Sequence, residues 1–237
     1  MQKFEAIVAP TITEMFEQQI QGMILSGRLK IGEKLPTERE LAESMRVSKS
    51  IVHLGIKNLE RQGFLTISPR HGVYVANYSE TGNVETLLAL LKYNGGRLDR
   101  ESIKSLLQVR EALEGMAMRL MAQKHTADQI LLLRMHIKDV RDAAVREPEN
   151  VDLLAELVYR FHIYICTKSG NNMIPLIMNG FKDVSITFWR DWISRMGVDG
   201  TIASLEGFAG CIAAGDGDGA VRLFRDNAND YLGVCGS

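Results

Sequence analysis

Three polar residues, Lys49, Ser50 and His53, lie off the apolar stripe of one helical segment, near its N-terminus. The stripe itself has helical spacing and consists of Ile51, Val52, Ile56 and Leu59. A helix whose first turns offer a cation, hydroxyls and an imidazole is suited to phosphates and base edges in a DNA major groove. These residues therefore predict a helix that is presented to DNA.

The surrounding stretch, residues 36–63, predicts the two helices that would position these side chains. Thr37 and Glu40 have the spacing of a capping box, which favours a helix beginning there. Arg46 and Val47 form the predicted turn, and Ser48 is the candidate N-cap of the second helix. The pattern is typical of a helix-turn-helix.

The segments on either side complete the predicted unit. An amphipathic helix is expected from Thr11 or Thr13 to about Ser26. After Gly63, the β-prone runs FLTI and VYV are separated by SPRHG, which predicts a two-stranded hairpin. Its tip carries Arg70, His71 and Gly72, and the glycine has no side chain to keep the backbone away from a duplex. Three helices and a basic hairpin make a winged helix-turn-helix.

Composition gives weaker signals than these motifs do. The net charge is −1, but residues 1–78 carry ten Lys/Arg against eight Asp/Glu, which leaves the remainder with eighteen against twenty-one. The basic excess is confined to the predicted DNA-binding unit. The three cysteines have neither metal nor redox spacing, and no apolar run approaches a membrane span of about 20 residues. We expect a cytoplasmic protein with no membrane partner.

The fold class expected is mainly α, with a winged helix-turn-helix followed by an all-α bundle. The predicted domains are residues 1–77, a polar linker at 78–83, and a helical domain at 84–237. Helical periods in the second domain predict six or seven helices. Their expected bounds are about 84–93, 99–123, 126–146, 151–168, 173–196, 200–214 and 220–232.

The stretch GRLKIGEKLPTERELAESMRVSKSIVHLGIKNLERQGFLTISPRHGVYV resembles the GntR superfamily of bacterial transcription regulators. The segments QVREALEG, RFHIYICTKSGNN and IAAGDGDGAVRLF make the second domain similar to the FCD domain of the FadR-like branch. The resemblance implies a homodimer that binds a palindromic operator and responds to a small-molecule effector in the helical domain. Organic acids and acyl-CoA-like molecules are the effector classes it suggests.

The resemblance also implies DNA contacts, at Arg39, Ser48, Lys49, His53, His71 and Gly72. Lys49 and His53 depart from the family, which commonly has arginine there, so we expect a different half-site preference. Taken alone, Arg39 fits a solvated helix charge equally well, and His53 fits an ordinary surface histidine.

Many FCD domains hold a divalent metal, and the matching positions here are Val158, His162, Leu205 and Asn227. Because only His162 retains a ligand side chain, the sequence predicts no metal and no other cofactor. His162 is then either a core histidine or a polar group facing the effector, and Asn227 is assigned to the same pocket. Arg110 either clamps an acidic ligand or forms an internal salt bridge, for example to Glu111, to Glu114 or to a helix further along the chain.

Two alternatives to a ligand-responsive regulator follow from the same residues. A DNA-binding protein without an effector is expected if the helical domain has no internal cavity. An enzyme is disfavoured, because the sequence shows no Ser-His-Asp or Cys-His arrangement, no phosphate-binding glycine loop and no paired acids. The aromatic residues Phe188, Trp189 and Trp192 fit core packing, with a ligand wall or a dimer face as the other possibilities.

Overall fold

The computed structural model describes residues 9–93 and 99–235. The chain divides into two compact units, Met1–Gly96 and Arg97–Ser237. The predicted fold class is confirmed: the first unit is a helical domain with one small hairpin, and the described part of the second is helical.

The first unit contains the predicted winged helix-turn-helix. Its core is made by the apolar faces of the first three helices together with the hairpin, whose strands pair antiparallel with Leu65 opposite Val75. An isolated bridge from Lys34 to Tyr74 fastens the preceding loop to the wing. The elements are α1 (Ile12–Leu25), α2 (Glu38–Met45), α3 (Lys49–Arg61), β1 (Leu65–Ser68), β2 (Gly72–Val75), α4 (Tyr78–Thr81) and α5 (Val84–Tyr93).

The ends of α2 and α3 follow from local chemistry. Thr37 and Glu40 form the predicted capping box, in which each side chain accepts from the other residue's backbone N–H. Arg46 ends α2 in the left-handed conformation, with φ 54°. Ser48 then caps α3, since its Oγ accepts from the Ile51 N–H at 3.3 Å. These interactions fix where α2 begins and ends and where α3 begins.

The first compact unit continues beyond the predicted linker at residues 78–83. Part of the predicted linker is helical, as α4, and α5 packs on α1 within the first unit. Asn83 Nδ2 donates to the Arg61 carbonyl at 2.8 Å, and Arg61 forms an ion pair with Glu85. These contacts attach α5 to the end of α3, and sequence periodicity does not report them.

The second unit is a bundle in which α6 packs on α11 and α8, while α10 packs on α7, α8 and α11. Its apolar core includes the buried side chains of Phe161, Phe188, Leu205 and Tyr231. The helices are α6 (Arg100–Gln123), α7 (Ala127–Arg146), α8 (Val151–Lys168), α9 (Met173–Gly180), α10 (Lys182–Ala213) and α11 (Gly217–Val234).

The helix expected over 173–196 has different bounds in the structure, and a kink lies at its predicted end. The predicted helix over 173–196 is divided at Phe181 into α9 and α10. The backbone of α10 is non-helical at Gly197, where φ is 76° and ψ is 164°, and this kink lies at the predicted break between the helices expected over 173–196 and 200–214. Only glycine adopts this backbone conformation readily, so Gly197 allows the helix to change direction without ending.

Candidate DNA-contacting face and effector cavity

The N-terminal end of α3 presents polar side chains outside the domain core. Ser48, Lys49, Ser50 and His53 are exposed, whereas Val52, Ile56 and Leu59 are buried beneath them. The structure therefore places four of the predicted DNA contacts on one end and face of α3. The Ser48 hydroxyl already serves as the cap, which leaves its proton free to donate elsewhere.

His53 is held by a residue that the sequence analysis did not select. Its Nδ1 lies 2.9 Å from Oε1 of Glu38 in α2, with the two side chains 60% and 40% exposed. Glu38 lies fifteen residues earlier in the chain. Because this contact joins two helices, only the relative placement of α2 and α3 reveals it.

Arg39 lies on the exposed surface of α2. Its Nε donates to Glu43 Oε1 at 2.9 Å, one turn along the same helix, and both side chains are more than half exposed. Exposed pairs of this kind contribute little to stability, so the guanidinium is available to exchange its partner. This position fits both interpretations of Arg39, as a DNA contact and as a solvated charge on the helix surface.

The wing tip brings together Arg70, His71 and Gly72. Arg70 has a left-handed φ of 66°, and Gly72 has a φ of 121°. A Cβ at Gly72 would lie 2.7 Å from Cε of Lys34, so the lysine packs against the glycine. Lys34 thus adds a cation beside the wing, at a position outside the predicted DNA contacts.

The second unit contains a small cavity of about 20 Å³ between α6, α8, α10 and α11. All three predicted effector residues line it, although they come from three different helices. The lining consists of Leu107, Arg110, His162, Phe188, Trp189, Trp192, Thr201, Ser204, Leu205, Phe208, Phe224, Asn227 and Ala228.

One wall of the cavity carries a buried network of three ionisable side chains. Arg110 donates to both carboxylate oxygens of Glu114, from Nε at 2.6 Å and from Nη2 at 3.2 Å. The other contact of Glu114 is His162, whose Nδ1 lies 2.7 Å from Oε2. The predicted internal salt bridge of Arg110 is therefore present, and the same side chain also lines the cavity.

Burial and the neighbouring charges determine the protonation states of Glu114 and His162. Burial raises the pKa of Glu114, but the charge of Arg110 and the contacts with His162 outweigh burial and hold that pKa at about 2. Burial lowers the pKa of His162 and outweighs the attraction of Glu114. The carboxylate is therefore ionised and the imidazole neutral near pH 7. Since Glu114 can only accept, the hydrogen of His162 is on Nδ1, and Nε2 is an acceptor.

Several buried polar atoms around the cavity have no hydrogen-bond partner among the described residues. Four of them are N–H donors on side chains that line the cavity, namely Arg110 Nη1, Trp189 Nε1, Trp192 Nε1 and Asn227 Nδ2. The fifth is His162 Nε2. Leaving a buried donor unpaired costs about 1–3 kcal/mol, so this excess of donors suits a ligand that supplies acceptor oxygens.

Aromatic rings hold the cationic and imidazole groups in place. The Arg110 guanidinium lies over the Trp189 ring at 4.4 Å and over the Phe188 ring at 4.8 Å. His162 stacks on the same tryptophan, with its ring centroid 4.7 Å from that of Trp189. These aromatic residues thus pack in the core and also form a cavity wall. Core packing and a ligand wall were two of the three roles that the sequence suggested for Phe188, Trp189 and Trp192.

The residues of this site do not fit the metal that many FCD domains bind. Val158 and Leu205 supply no ligand atoms, and Glu114, the carboxylate beside His162, is already shared with the Arg110 cation. Over residues 9–93 and 99–235 there is no cluster of three or more His, Cys, Asp or Glu side chains able to hold a metal ion.

A winged helix-turn-helix joined in one chain to a helical bundle with an internal cavity defines a class of protein, the one-component transcription regulators. Residues 12–75 match the family model described as bacterial regulatory proteins, gntR family, and residues 105–229 match the FCD domain. The chain belongs to the GntR family, as a DNA-binding transcription regulator with an FCD effector-binding domain.

Individual relatives agree with this assignment. The Glc operon transcriptional activator of Escherichia coli K12 is 28% identical over 176 residues, which are 73% of this chain and 66% of that protein. The fatty acid metabolism regulator protein of Cronobacter sakazakii is 32% identical over 186 residues, covering 76% of this chain and 71% of that one. The solved structure of Lar, which controls expression of the Listeria monocytogenes agr system, has the same fold, with a TM-score of 0.64, 14% identity and coverage of 97% and 98%.

A membrane-spanning role has no support in the described part of the chain. None of its helices combines the length and the apolar character that crossing a bilayer requires.

Proposed function

We propose that the protein binds a palindromic operator as a homodimer, with α3 of each copy in a major groove and each wing against the flanking backbone. The exposed polar end of α3 carries this proposal, because Lys49, Ser50 and His53 stand free of the core where a groove would meet them. Arg39 lies on α2, and Arg70, His71 and Gly72 are at the wing tip. A two-fold dimer would require two half-sites at a fixed spacing.

The test is a gel shift of the full chain on fragments around its own promoter, at several salt concentrations. Once a bound fragment is found, five base pairs inserted between its half-sites turn one half-site to the opposite face of the duplex. Binding should then fall sharply, whereas a ten-base-pair insertion should restore part of it. Equal binding to all genomic fragments at moderate salt would contradict the operator proposal, and monomers in light scattering with and without DNA would contradict the dimer.

We further propose that the effector is a small organic acid in the cavity of the second unit. The unpaired donors on Arg110, Trp189, Trp192 and Asn227 support this proposal, since a carboxylate supplies acceptors and negative charge. The cavity of about 20 Å³ holds about one water molecule, so an acid can enter only if the lining side chains move apart, and a short acid requires less movement than an acyl-CoA. Occupancy would alter DNA affinity by favouring one arrangement of the protein.

Calorimetric titration with short mono-, di- and tricarboxylates, with an acyl-CoA as comparison, tests the effector class. Asn227→Leu should weaken binding of the acid about tenfold, because it removes one donor and fills space. Asn229→Leu is the matched control, since this exposed asparagine lies on the same helix outside the cavity. Binding of the acyl-CoA alone, or equal affinity for the acid in the two variants, would contradict the proposal.

A further inference from the structure

His53 is oriented by a carboxylate that belongs to a different helix. Its Nδ1 is 2.9 Å from Glu38 Oε1, and 60% of the imidazole side chain remains exposed. A carboxylate can only accept a hydrogen bond, so Nδ1 carries the hydrogen. In the neutral ring Nε2 is then an acceptor, on the edge of the ring away from Glu38.

We propose that Glu38 is a positioning residue for operator recognition: by fixing this tautomer it makes His53 select bases that present an amino group. In the major groove adenine offers N6–H₂ and cytosine offers N4–H₂ as donors, whereas guanine and thymine offer acceptors at the corresponding position. An Nε2 acceptor therefore prefers adenine or cytosine on the strand that it faces, at one position of each half-site. This inference rests on the proposed contact between α3 and DNA.

The hydrogen-bonding role of this Nε2 acceptor is the opposite of that of an arginine at the same position. Arginine only donates, and it pairs best with guanine O6 and N7. An imidazolium would also donate from Nε2 and would favour guanine. The identity of the preferred base thus reports which atom of His53 carries hydrogen, which makes the Glu38 contact directly testable.

The experiment is a selection of binding sites by the full chain from a random duplex library, at one fixed salt concentration. Wild type should enrich adenine or cytosine at one position of each half-site, by about two- to tenfold over guanine or thymine, the effect of one net hydrogen bond. Glu38→Ala should lose the preference at that position and keep the preferences elsewhere. His53→Ala should do the same, and the double variant should match His53→Ala alone, because Glu38 acts through His53.

Glu80→Ala is the control, since Glu80 is likewise an exposed carboxylate in the first turn of a helix of the same unit. It should leave the base preference unchanged. Circular dichroism melting of Glu38→Ala checks that α2 remains folded without a first-turn carboxylate. A second readout uses duplexes in which the selected base lacks its amino group. This replacement should weaken binding of wild type and have no effect on Glu38→Ala.

The outcomes separate this inference from the proposed function. A library without any enriched motif would overturn the operator proposal and this inference together. The same preferences in wild type and Glu38→Ala, or unchanged binding of wild type to duplexes that lack the amino group at the position sensitive to His53, would overturn the role of Glu38 alone.

Discussion

Nδ1 of His162 lies 2.7 Å from Oε2 of Glu114, although 48 positions separate the two residues in the chain. The contact joins α8 to α6 inside the second unit, where both side chains are about 98% buried. Glu114 thereby balances the charge of Arg110 and fixes the tautomer of His162 at the same time. The buried network has no net charge near neutral pH, which makes it sensitive to acid.

The first prediction concerns the stability of the helical unit at mildly acidic pH. Burial keeps the pKa of His162 below its ordinary value of 6.5, so below about pH 6.5 the unfolded chain binds a proton that the folded chain excludes. Stability should therefore fall as the pH decreases from about 6.5. A further loss is expected below about pH 4.5. There the Glu114 carboxylate takes up a proton in the unfolded chain but stays ionised in the folded chain, where its pKa is about 2, so acid favours unfolding.

Urea unfolding from pH 4 to 8, followed by tryptophan fluorescence, measures this effect. Both tryptophans of the chain, Trp189 and Trp192, are in α10, so the signal reports the second unit. His162→Gln should flatten the stability profile between about pH 5 and 7. His71→Gln, an exposed substitution in the first unit, should leave it unchanged. A slope of opposite sign in wild type would contradict the neutral, buried imidazole.

Interactions between residues close together in the chain made the first unit predictable from sequence. The Thr37–Glu40 box and the Ser48 cap are interactions across three residues, so they can be identified from spacing alone. The second unit was predictable in class and in most helices. The division at Phe181 follows Asn179-Gly180, a turn signal inside the predicted helix, and the predicted end near residue 197 coincides with the kink at Gly197.

The site residues divide in the same way. Arg110 could be selected because a cation in an apolar stripe needs a partner, and Glu114 follows it at helical spacing. By contrast, the contacts of His53 with Glu38 and of His162 with Glu114 join different helices, over fifteen and 48 positions. Such contacts depend on helix packing, and a single sequence carries no signal of it.

The second prediction concerns the cost of breaking the buried ion pair. Glu114→Gln leaves the Arg110 charge buried without a counter-ion, which should lower the free energy of unfolding by about 3–5 kcal/mol. The double variant Arg110→Met with Glu114→Met should recover most of this loss, since neither charge remains. Urea unfolding of the second unit measures both effects.

Arg225→Ala serves as the control for that comparison. Arg225 also pairs with a carboxylate on α6, Glu111, at 2.6 Å, but its side chain is 56% exposed. Its removal should cost about 1 kcal/mol or less. A double variant no more stable than Glu114→Gln would show that the cost comes from packing and not from the unpaired charge.

The third prediction concerns Lys49 at the beginning of α3. If its ammonium contacts a phosphate, Lys49→Ala should weaken binding to operator and nonspecific DNA alike and reduce the slope of log affinity against log salt by about 1. Fluorescence anisotropy between about 50 and 200 mM salt measures the slope. Lys104→Ala removes an exposed lysine from α6 of the second unit and should leave the slope as in wild type. An unchanged slope in Lys49→Ala would place the lysine off the phosphate backbone.

The last prediction concerns the kink at Gly197. With φ 76° and ψ 164°, an alanine there is strained by about 1–3 kcal/mol, although the described residues leave open space around the position of a Cβ. The kink lies between Trp192 and Thr201, which both line the cavity, so Gly197→Ala should lower stability and also weaken effector binding. Gly200→Ala is the matched control: three residues along the same helix, with ordinary helical backbone and similar open space, it should be neutral or stabilising by about 0.5–1 kcal/mol. Urea unfolding and effector titration of the two variants make the comparison, and equal stability of the two would contradict a kink that requires glycine.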